Sequence, residues 1–131
     1  MNASDAFKLA YRRTWIALGM VIIAAIWILS LIPNPPQIGV EGEDKAGHFV
    51  AYGILMLWWS QILIRSNDRL IIAAAFVTMG IVIEFVQGWT GWRTFEVADM
   101  VADAIGVALG WSIACTPAGS ILARFESVFL S

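Results

Sequence analysis

The chain has 131 residues, of which 60% are apolar and 14% are charged, and its mean hydropathy is +0.77. Soluble domains carry about 25% charged residues, so this composition excludes an ordinary water-soluble domain and indicates a membrane protein. A net charge of −2 gives no basis for a nucleic-acid partner. A single cysteine, Cys115, excludes an internal disulfide framework.

Four long apolar segments follow one another along the chain, each close to the roughly 20 residues that a helix needs to cross a bilayer. They cover residues 14–32, 46–64, 70–88 and 95–116. The sequence therefore predicts a single all-α membrane domain over residues 1–131 with four transmembrane helices. It also predicts a short interfacial helix at each end. In the tail, apolar residues at helical spacing surround Arg124 and Glu126, which suits either such a helix or a frayed apolar tail packed on the bundle.

Basic residues are unevenly distributed around the four segments. Six of the eight precede the first segment, lie between the second and third, or follow the fourth: Lys8, Arg12, Arg13, Arg65, Arg69 and Arg124. Loops rich in Lys and Arg stay in the cytoplasm, so this pattern predicts that both termini are cytoplasmic. Lys45 and Arg93 are then expected on the outer side.

Ionisable side chains within the apolar segments converge on the outer half. His48 lies about one turn into the second segment, Glu84 about one turn before the end of the third, and Asp99 and Asp103 about one and two turns into the fourth. Charged groups inside a span are costly, and they usually face the bundle and serve a function. Three helices are thus predicted to present a polar site to one layer.

Helical spacing predicts which faces turn inward. Residues three or four apart share a helix face, and three such sets occur: Asp44, His48 and Tyr52, bordered by Lys45; Glu84 and Gln87; and Asp99, Asp103, Gly106 and Gly110. The small residues at 106 and 110 permit close helix contact. We therefore expect these faces to meet in the bundle.

Some of these residues also have simpler structural explanations. Asp44 is well placed to cap the second helix, and the Lys45 side chain is long enough to extend to lipid headgroups. Arg93 either contacts headgroups or pairs with an inward carboxylate, and we expect the pairing.

Taken together, these motifs resemble the VanZ-like family of small bacterial membrane proteins. The resemblance covers about residues 31–110 and rests on the order and spacing of four motifs: Pro33-Asn34-Pro35-Pro36, Asp44-Lys45-x-x-His48-Phe49-x-x-Tyr52, Glu84-x-x-Gln87 followed by Arg93, and Asp99-x-x-x-Asp103-x-x-Gly106. At position 103 the family typically has asparagine, so here an acidic group replaces a neutral amide.

The resemblance implies a multi-pass protein of the bacterial cytoplasmic (inner) membrane. Its family is named for a protein that raises resistance to the glycopeptide teicoplanin. We therefore expect an accessory role in the cell envelope or in such resistance, through binding of a lipid headgroup or a lipid-linked cell-wall precursor. The predicted binding residues are Lys45, His48, Tyr52, Glu84, Gln87, Arg93, Asp99 and Asp103. No cofactor or metal is assigned, and a homo-oligomer is left open.

The alternative is a membrane-embedded hydrolase or transferase that acts on a lipid-linked envelope substrate. His48 would be the acid or base, with Glu84 or Asp99 as its partner. No serine or cysteine nucleophile is predicted on the outer side, because Ser60, Ser66 and Cys115 lie deep or on the cytoplasmic side. The sequence does not decide whether any reaction is catalysed.

Overall fold

The computed structural model describes residues 8–130 and consists of helices joined by short connections. The four long helices are α1 (Arg12–Leu31), α2 (Glu43–Ile62), α3 (Ser66–Thr90) and α4 (Val97–Ala114). A C-terminal segment of three short helical turns follows: Pro117–Ser120, Ile121–Phe125 and Glu126–Leu130. No strand occurs within residues 8–130, which confirms the all-α class.

The helices predicted at the two ends have different outcomes. The C-terminal segment is helical, as its apolar spacing predicts. At the other end, residues 8–11 precede α1 without forming a helix. The rest of the predicted N-terminal helix lies outside the described residues.

Three of the long helices are long and apolar enough to cross a membrane: α1, α3 and α4. The prediction of four such helices is therefore wrong in its count, because α2 is not among them. Lys45, His48 and Gln61 make α2 more polar than its neighbours. Each of these side chains has a protein partner; the Gln61 side chain, for example, accepts a hydrogen bond from the Leu122 amide at 2.9 Å.

Close packing between α2 and α4 forms the centre of the bundle. A β-carbon added at Gly106 would lie 2.5 Å from the carbonyl oxygen of Phe49, and one at Gly110 would come closer still to that of Gly53. The two helices can approach this closely because both positions lack a side chain. Asp99, Asp103, Gly106 and Gly110 are all buried, so the predicted inward face of α4 is confirmed.

Contacts between helix termini define two ends of the bundle. The acidic end holds Asp44, Glu84, Glu96, Asp99 and Asp103, and there the Gln87 amide donates to the Ser30 carbonyl at 2.8 Å. The basic end holds Arg12, Arg65, Arg69 and Arg124. At that end the Arg69 guanidinium donates to the carbonyls of Ser60 and Leu63, which lie at the C-terminal end of α2.

At the basic end, the C-terminal segment is tied to the start of α1 by one carboxylate. Glu126, which is buried, accepts hydrogen bonds from the backbone amides of Ala10 at 2.6 Å and Tyr11 at 2.9 Å, and from the Trp15 indole. The residue that precedes α1, Tyr11, provides no side-chain cap. Glu126 therefore satisfies amides at the helix N-terminus that would otherwise lack partners.

We expect Glu126→Gln to lower the free energy of unfolding by about 1–2 kcal/mol, because it removes a negative charge from a helix N-terminus and weakens three hydrogen bonds. Burial raises the pKa of Glu126, but the bonds from Trp15, Tyr11 and Ala10 outweigh it and hold the pKa below its usual 4.5. This stabilisation is therefore complete above pH 4.5 and is lost as the pH falls through the lowered value.

Thermal unfolding in detergent between pH 3.5 and pH 7 measures the effect of Glu126→Gln. Glu41→Gln, at an exposed carboxylate, is the matched control. A Glu126→Gln protein as stable as the control at pH 7 would show that the bonds contribute nothing.

Candidate functional site

At the acidic end, the imidazole of His48 lies between two carboxylates of α4. His48 Nδ1 is 2.9 Å from Asp103 Oδ1, and His48 Nε2 is 3.6 Å from Asp99 Oδ2. Asp103 is 1% exposed and can accept only from within the bundle. The two carboxylates are four residues apart on one helix face, which is why one ring can lie between them.

Lys45 forms the outer layer of the same cluster. Its Nζ donates to Glu96 and to Asp99, the latter at 3.0 Å, and lies 3.4 Å from Asp44. The hydrogen bonds to Glu96 and Asp99 raise the pKa of Lys45 above its usual range, so the ammonium group stays charged. Lys45 thus pairs with carboxylates, while 40% of its side chain stays exposed.

Glu84 is fully buried behind this layer and fixes the start of α4. Its Oε1 accepts a hydrogen bond at 2.6 Å from the amide of Glu96, the residue that precedes α4. Its Oε2 has no hydrogen-bond partner among residues 8–130. A buried carboxylate oxygen without a partner is costly, so Glu84 is the least compensated acidic group of the cluster.

Arg93 contradicts the expected pairing with an inward carboxylate. Its Nη1 donates instead to the carbonyls of Leu29 at 3.5 Å and Ile32 at 3.3 Å. These carbonyls lie at the end of α1, where the last turn of a helix lacks internal donors. The Trp92 indole donates to the neighbouring Leu31 carbonyl at 3.0 Å. The chain around Arg93 therefore closes the acidic end over α1.

An open cleft of about 610 Å³ lies between the end of α1, the 33–38 loop, the start of α2 and residues 92–99. Four of the eight predicted binding residues line it: His48, Tyr52, Arg93 and Asp99. The other four do not line it, but each contacts a lining residue: Lys45 contacts Asp99, Glu84 contacts Glu96, Gln87 contacts Ser30, and Asp103 contacts His48. The structure thus gathers all eight around one cleft, as lining or as support.

Three acidic residues that line the cleft, Glu43, Asp44 and Glu96, were not among the predicted binding residues. Glu96 bonds Lys45; it precedes α4 in extended backbone, so helical spacing gave no signal for it. Glu43 also lines the cleft and accepts from the Ile38 and Val40 amides at 2.7 and 3.3 Å.

The expected capping role of Asp44 is wrong. Gly42, at φ 78°, precedes α2, and no side chain caps the helix start. The left-handed backbone there suits glycine, which has no β-carbon. Asp44 instead lines the cleft beside Lys45.

A metal ion has only one candidate position in the part of the chain that the structure describes. One oxygen from each of Asp44, Glu96 and Asp99 lies within 4.8 Å of the others. The Lys45 ammonium group already lies against all three carboxylates. The Lys45 ammonium group already supplies a cation to one oxygen of each carboxylate, so these three oxygens do not call for a metal, and the second oxygens of Asp44 and Glu96 are left as acceptors.

The fold and site define a class: a multi-pass helical membrane protein with a polar cleft at one end of its bundle. The chain belongs to the VanZ/LLP1 family, whose model matches residues 14–122. It is also similar to an uncharacterized protein of Schizosaccharomyces pombe, with 33% identity over 95 residues. That match covers 66% of this chain and 59% of the relative, so the chain spans less than two thirds of the relative's length. No solved structure matches the chain.

Proposed function

We propose that the cleft binds the zwitterionic headgroup of a membrane phospholipid, with its ammonium group against the carboxylates and its phosphate against Arg93. The observation that carries the proposal is the charge of the lining. Four carboxylates line the cleft together with His48 and Arg93; they belong to Glu43, Asp44, Glu96 and Asp99. A cleft that offers both signs of charge suits a ligand that carries both.

The ammonium group of the headgroup suits this cluster because its cations are already paired, whereas some of its carboxylate oxygens are not. Lys45 and His48 are paired with carboxylates, so they are not free donors for an anion. Glu96 and Asp44 keep acceptor oxygens toward the cleft, and their side chains are 40% and 55% exposed. A primary ammonium group has three donors and no acceptor, which complements such oxygens.

The phosphate group of the headgroup suits Arg93. Its two bonds to α1 carbonyls use Nη1 alone and are long, at 3.3 and 3.5 Å. Backbone carbonyls do not neutralise its charge, and a guanidinium presents a planar fork that matches a phosphate. Arg93 lines the same cleft as the carboxylates, so one headgroup can contact both.

The apolar part of the cleft supports a lipid. Ile26, Leu29 and Ala51 line its inner wall, and Ile38, at the rim, is 84% exposed. Acyl chains are suited to this surface. The similarity to a fungal protein favours a phospholipid, which bacterial and fungal membranes share, over a bacterial cell-wall precursor. Family membership fits a resistance-associated membrane protein, and headgroup binding is the molecular activity that we propose for such a role.

A binding experiment tests the proposal with the purified full chain in neutral detergent. Short-chain phosphatidylethanolamine, phosphatidylcholine and phosphatidylglycerol are titrated, and calorimetry measures affinity. We expect saturable binding of phosphatidylethanolamine, whose ammonium group donates hydrogen bonds. Glu96→Gln and Arg93→Gln should each weaken it about tenfold, since each removes one charged hydrogen-bond partner. Glu41→Gln, outside the cleft, should leave it unchanged. Phosphatidylethanolamine binding that Glu96→Gln and Arg93→Gln leave unchanged, or that Glu41→Gln weakens equally, would contradict the proposal.

The enzyme is the second candidate, and the His48–Asp103 contact favours it. A buried carboxylate on Nδ1 fixes the ring, and Nε2 then lies toward the cleft beside Asp99. This is the arrangement of an oriented general base. Mass spectrometry of phosphatidylethanolamine incubated with the protein distinguishes the candidates. A product that forms with the unmodified chain but not with His48→Ala supports catalysis, and intact lipid bound by the unmodified chain supports binding alone.

We also propose that the acidic end faces outward and the basic end faces the cytoplasm, on the grounds of the unequal distribution of basic residues. In a Cys115→Ser background, Glu41→Cys should react with an impermeant thiol reagent added to intact cells, and Asn67→Cys should not. Both positions are exposed. Cysteine is not introduced at Gly42 or Gly91, because the φ angles of 78° and 81° at these positions disfavour a side chain. External labelling at position 67 alone would reverse the orientation.

A further inference from the structure

A second cavity, of about 310 Å³, lies at the basic end of the bundle and shares no lining residue with the cleft. It is bounded by the end of α2, the start of α3, the end of α4 and the C-terminal segment. Its polar lining consists of Gln61, Arg69, Thr116, Ser120 and Arg124, and no carboxylate lines it. The volume is at the lower end of the range for small-ligand pockets, which suits a single compact group.

The two arginines of this cavity keep their full positive charge. Arg69 is held by hydrogen bonds from Nε and Nη2 to the Ser60 and Leu63 carbonyls, at 2.6 to 3.1 Å. These bonds fix the guanidinium but do not neutralise it. Within residues 8–130, neither Arg69 nor Arg124 forms a salt bridge with a carboxylate. The fixed guanidinium of Arg69 and the exposed one of Arg124, both without counter-ions, attract an anion.

The lining also provides the geometry for a tetrahedral oxyanion. Arginine forks form bidentate hydrogen bonds with phosphate oxygens. Arg69 comes from α3 and Arg124 from the C-terminal segment, so the two can contact one group from different walls. Ile64, which is 51% exposed, adds an apolar surface to the lining of this cavity. The cavity therefore offers charge for a phosphate and an apolar surface beside it.

We propose that this cavity binds a phosphate group, supplied either by the headgroup of an anionic lipid or by free inorganic phosphate. The site is separate from the cleft at the acidic end and uses none of its residues. Its occupant would bridge α3 and the C-terminal segment, and would therefore stabilise the folded chain by an amount that grows with the logarithm of its concentration above the dissociation constant.

The test uses the purified full chain in neutral detergent, with two titrations followed by the shift in unfolding temperature. One titrant is short-chain phosphatidylglycerol and the other is inorganic phosphate. We expect the unfolding temperature to rise with the logarithm of ligand concentration, above the dissociation constant, in at least one titration. If only the lipid raises it, the source is a headgroup; if phosphate raises it and phosphate at high concentration suppresses the shift caused by the lipid, the source is the free anion. The absence of a rise in both titrations would overturn the proposal.

Arg124→Gln is the decisive variant, because the Arg124 side chain is exposed and makes no hydrogen bond that the fold needs. It should weaken the binding about tenfold. Arg13→Gln, at an exposed arginine of the same end that does not line the cavity, is the matched control and should leave the affinity unchanged. Arg69→Lys keeps the charge but loses the fork and should weaken binding while the protein folds. Equal losses in Arg124→Gln and Arg13→Gln would mean non-specific surface attraction and would also overturn the proposal.

Discussion

Gly106→Ala is expected to lower the free energy of unfolding by about 1–3 kcal/mol, the range measured for an extra methyl group in a packed core. The new β-carbon would meet the Phe49 carbonyl oxygen at 2.5 Å, and this oxygen belongs to the backbone of α2 and cannot rotate away. The double variant Gly106→Ala/Gly110→Ala should separate α2 from α4 and cost more than either change alone. Since these helices carry His48, Asp99 and Asp103, lipid binding in the cleft should fall with stability.

Gly47→Ala is the matched control for this prediction. Gly47 also lies within α2, but a β-carbon there would meet no atom within 4 Å. Alanine favours a helix by about 1 kcal/mol over glycine, so this variant should be as stable as the unmodified chain or more stable. Chemical unfolding in mixed micelles measures both. A Gly106→Ala protein that matches Gly47→Ala would show that the close approach of α2 and α4 is not required.

Asp103→Ala is expected to have the second large effect, about 2–3 kcal/mol on unfolding, because it leaves the His48 ring nitrogen without its buried acceptor. Asp103→Asn should be tolerated, since the amide oxygen can accept the same hydrogen bond. It also matches the asparagine that is typical of the family. Glu84→Gln should keep its bond to the Glu96 amide and therefore its stability, but it should impair lipid binding because it removes a negative charge behind the cleft.

Comparison of Asp103→Asn with Glu84→Gln, in unfolding and in lipid titrations, decides how the two carboxylates act. If Asp103→Asn costs more than Glu84→Gln in both measurements, Asp103 acts as a charged group. The cluster would then be better interpreted as a site for a cation or a proton than as a hydrogen-bonded support for His48.

Much of the fold could be predicted from the sequence because the relevant signals are local. Apolar length located the four long helices to within a few residues, and helical spacing placed Asp99, Asp103, Gly106 and Gly110 on one buried face. The same apolarity overestimated the number of membrane-capable helices. The polar side chains of α2 are acceptable there because they contact other helices. The composition of a helix does not show which neighbours will shield its polar groups.

The partners of the charged groups could not be predicted for the same reason. Spacing placed Lys45, His48 and Asp99 in one layer, but it could not show that Lys45 bonds Glu96 or that Arg93 turns to the carbonyls of α1. Those choices depend on how loops close over the helix ends. Glu126 is the extreme case, because its partners lie 111 to 116 residues away along the chain.

Helix α1 is held at both ends, and Glu126 provides one of the two attachments. At the acidic end its last carbonyls accept from Arg93 and Trp92, and at the basic end its first amides donate to Glu126. A helix of 20 residues is about 30 Å long and behaves as a rod over that distance. A ligand that displaces Glu126 would free one end of this rod, and a ligand that displaces Arg93 would leave the other end held by the hydrogen bonds of Trp92 and Gln87. The two ends of the bundle are thereby connected through a helix that carries none of the predicted binding residues.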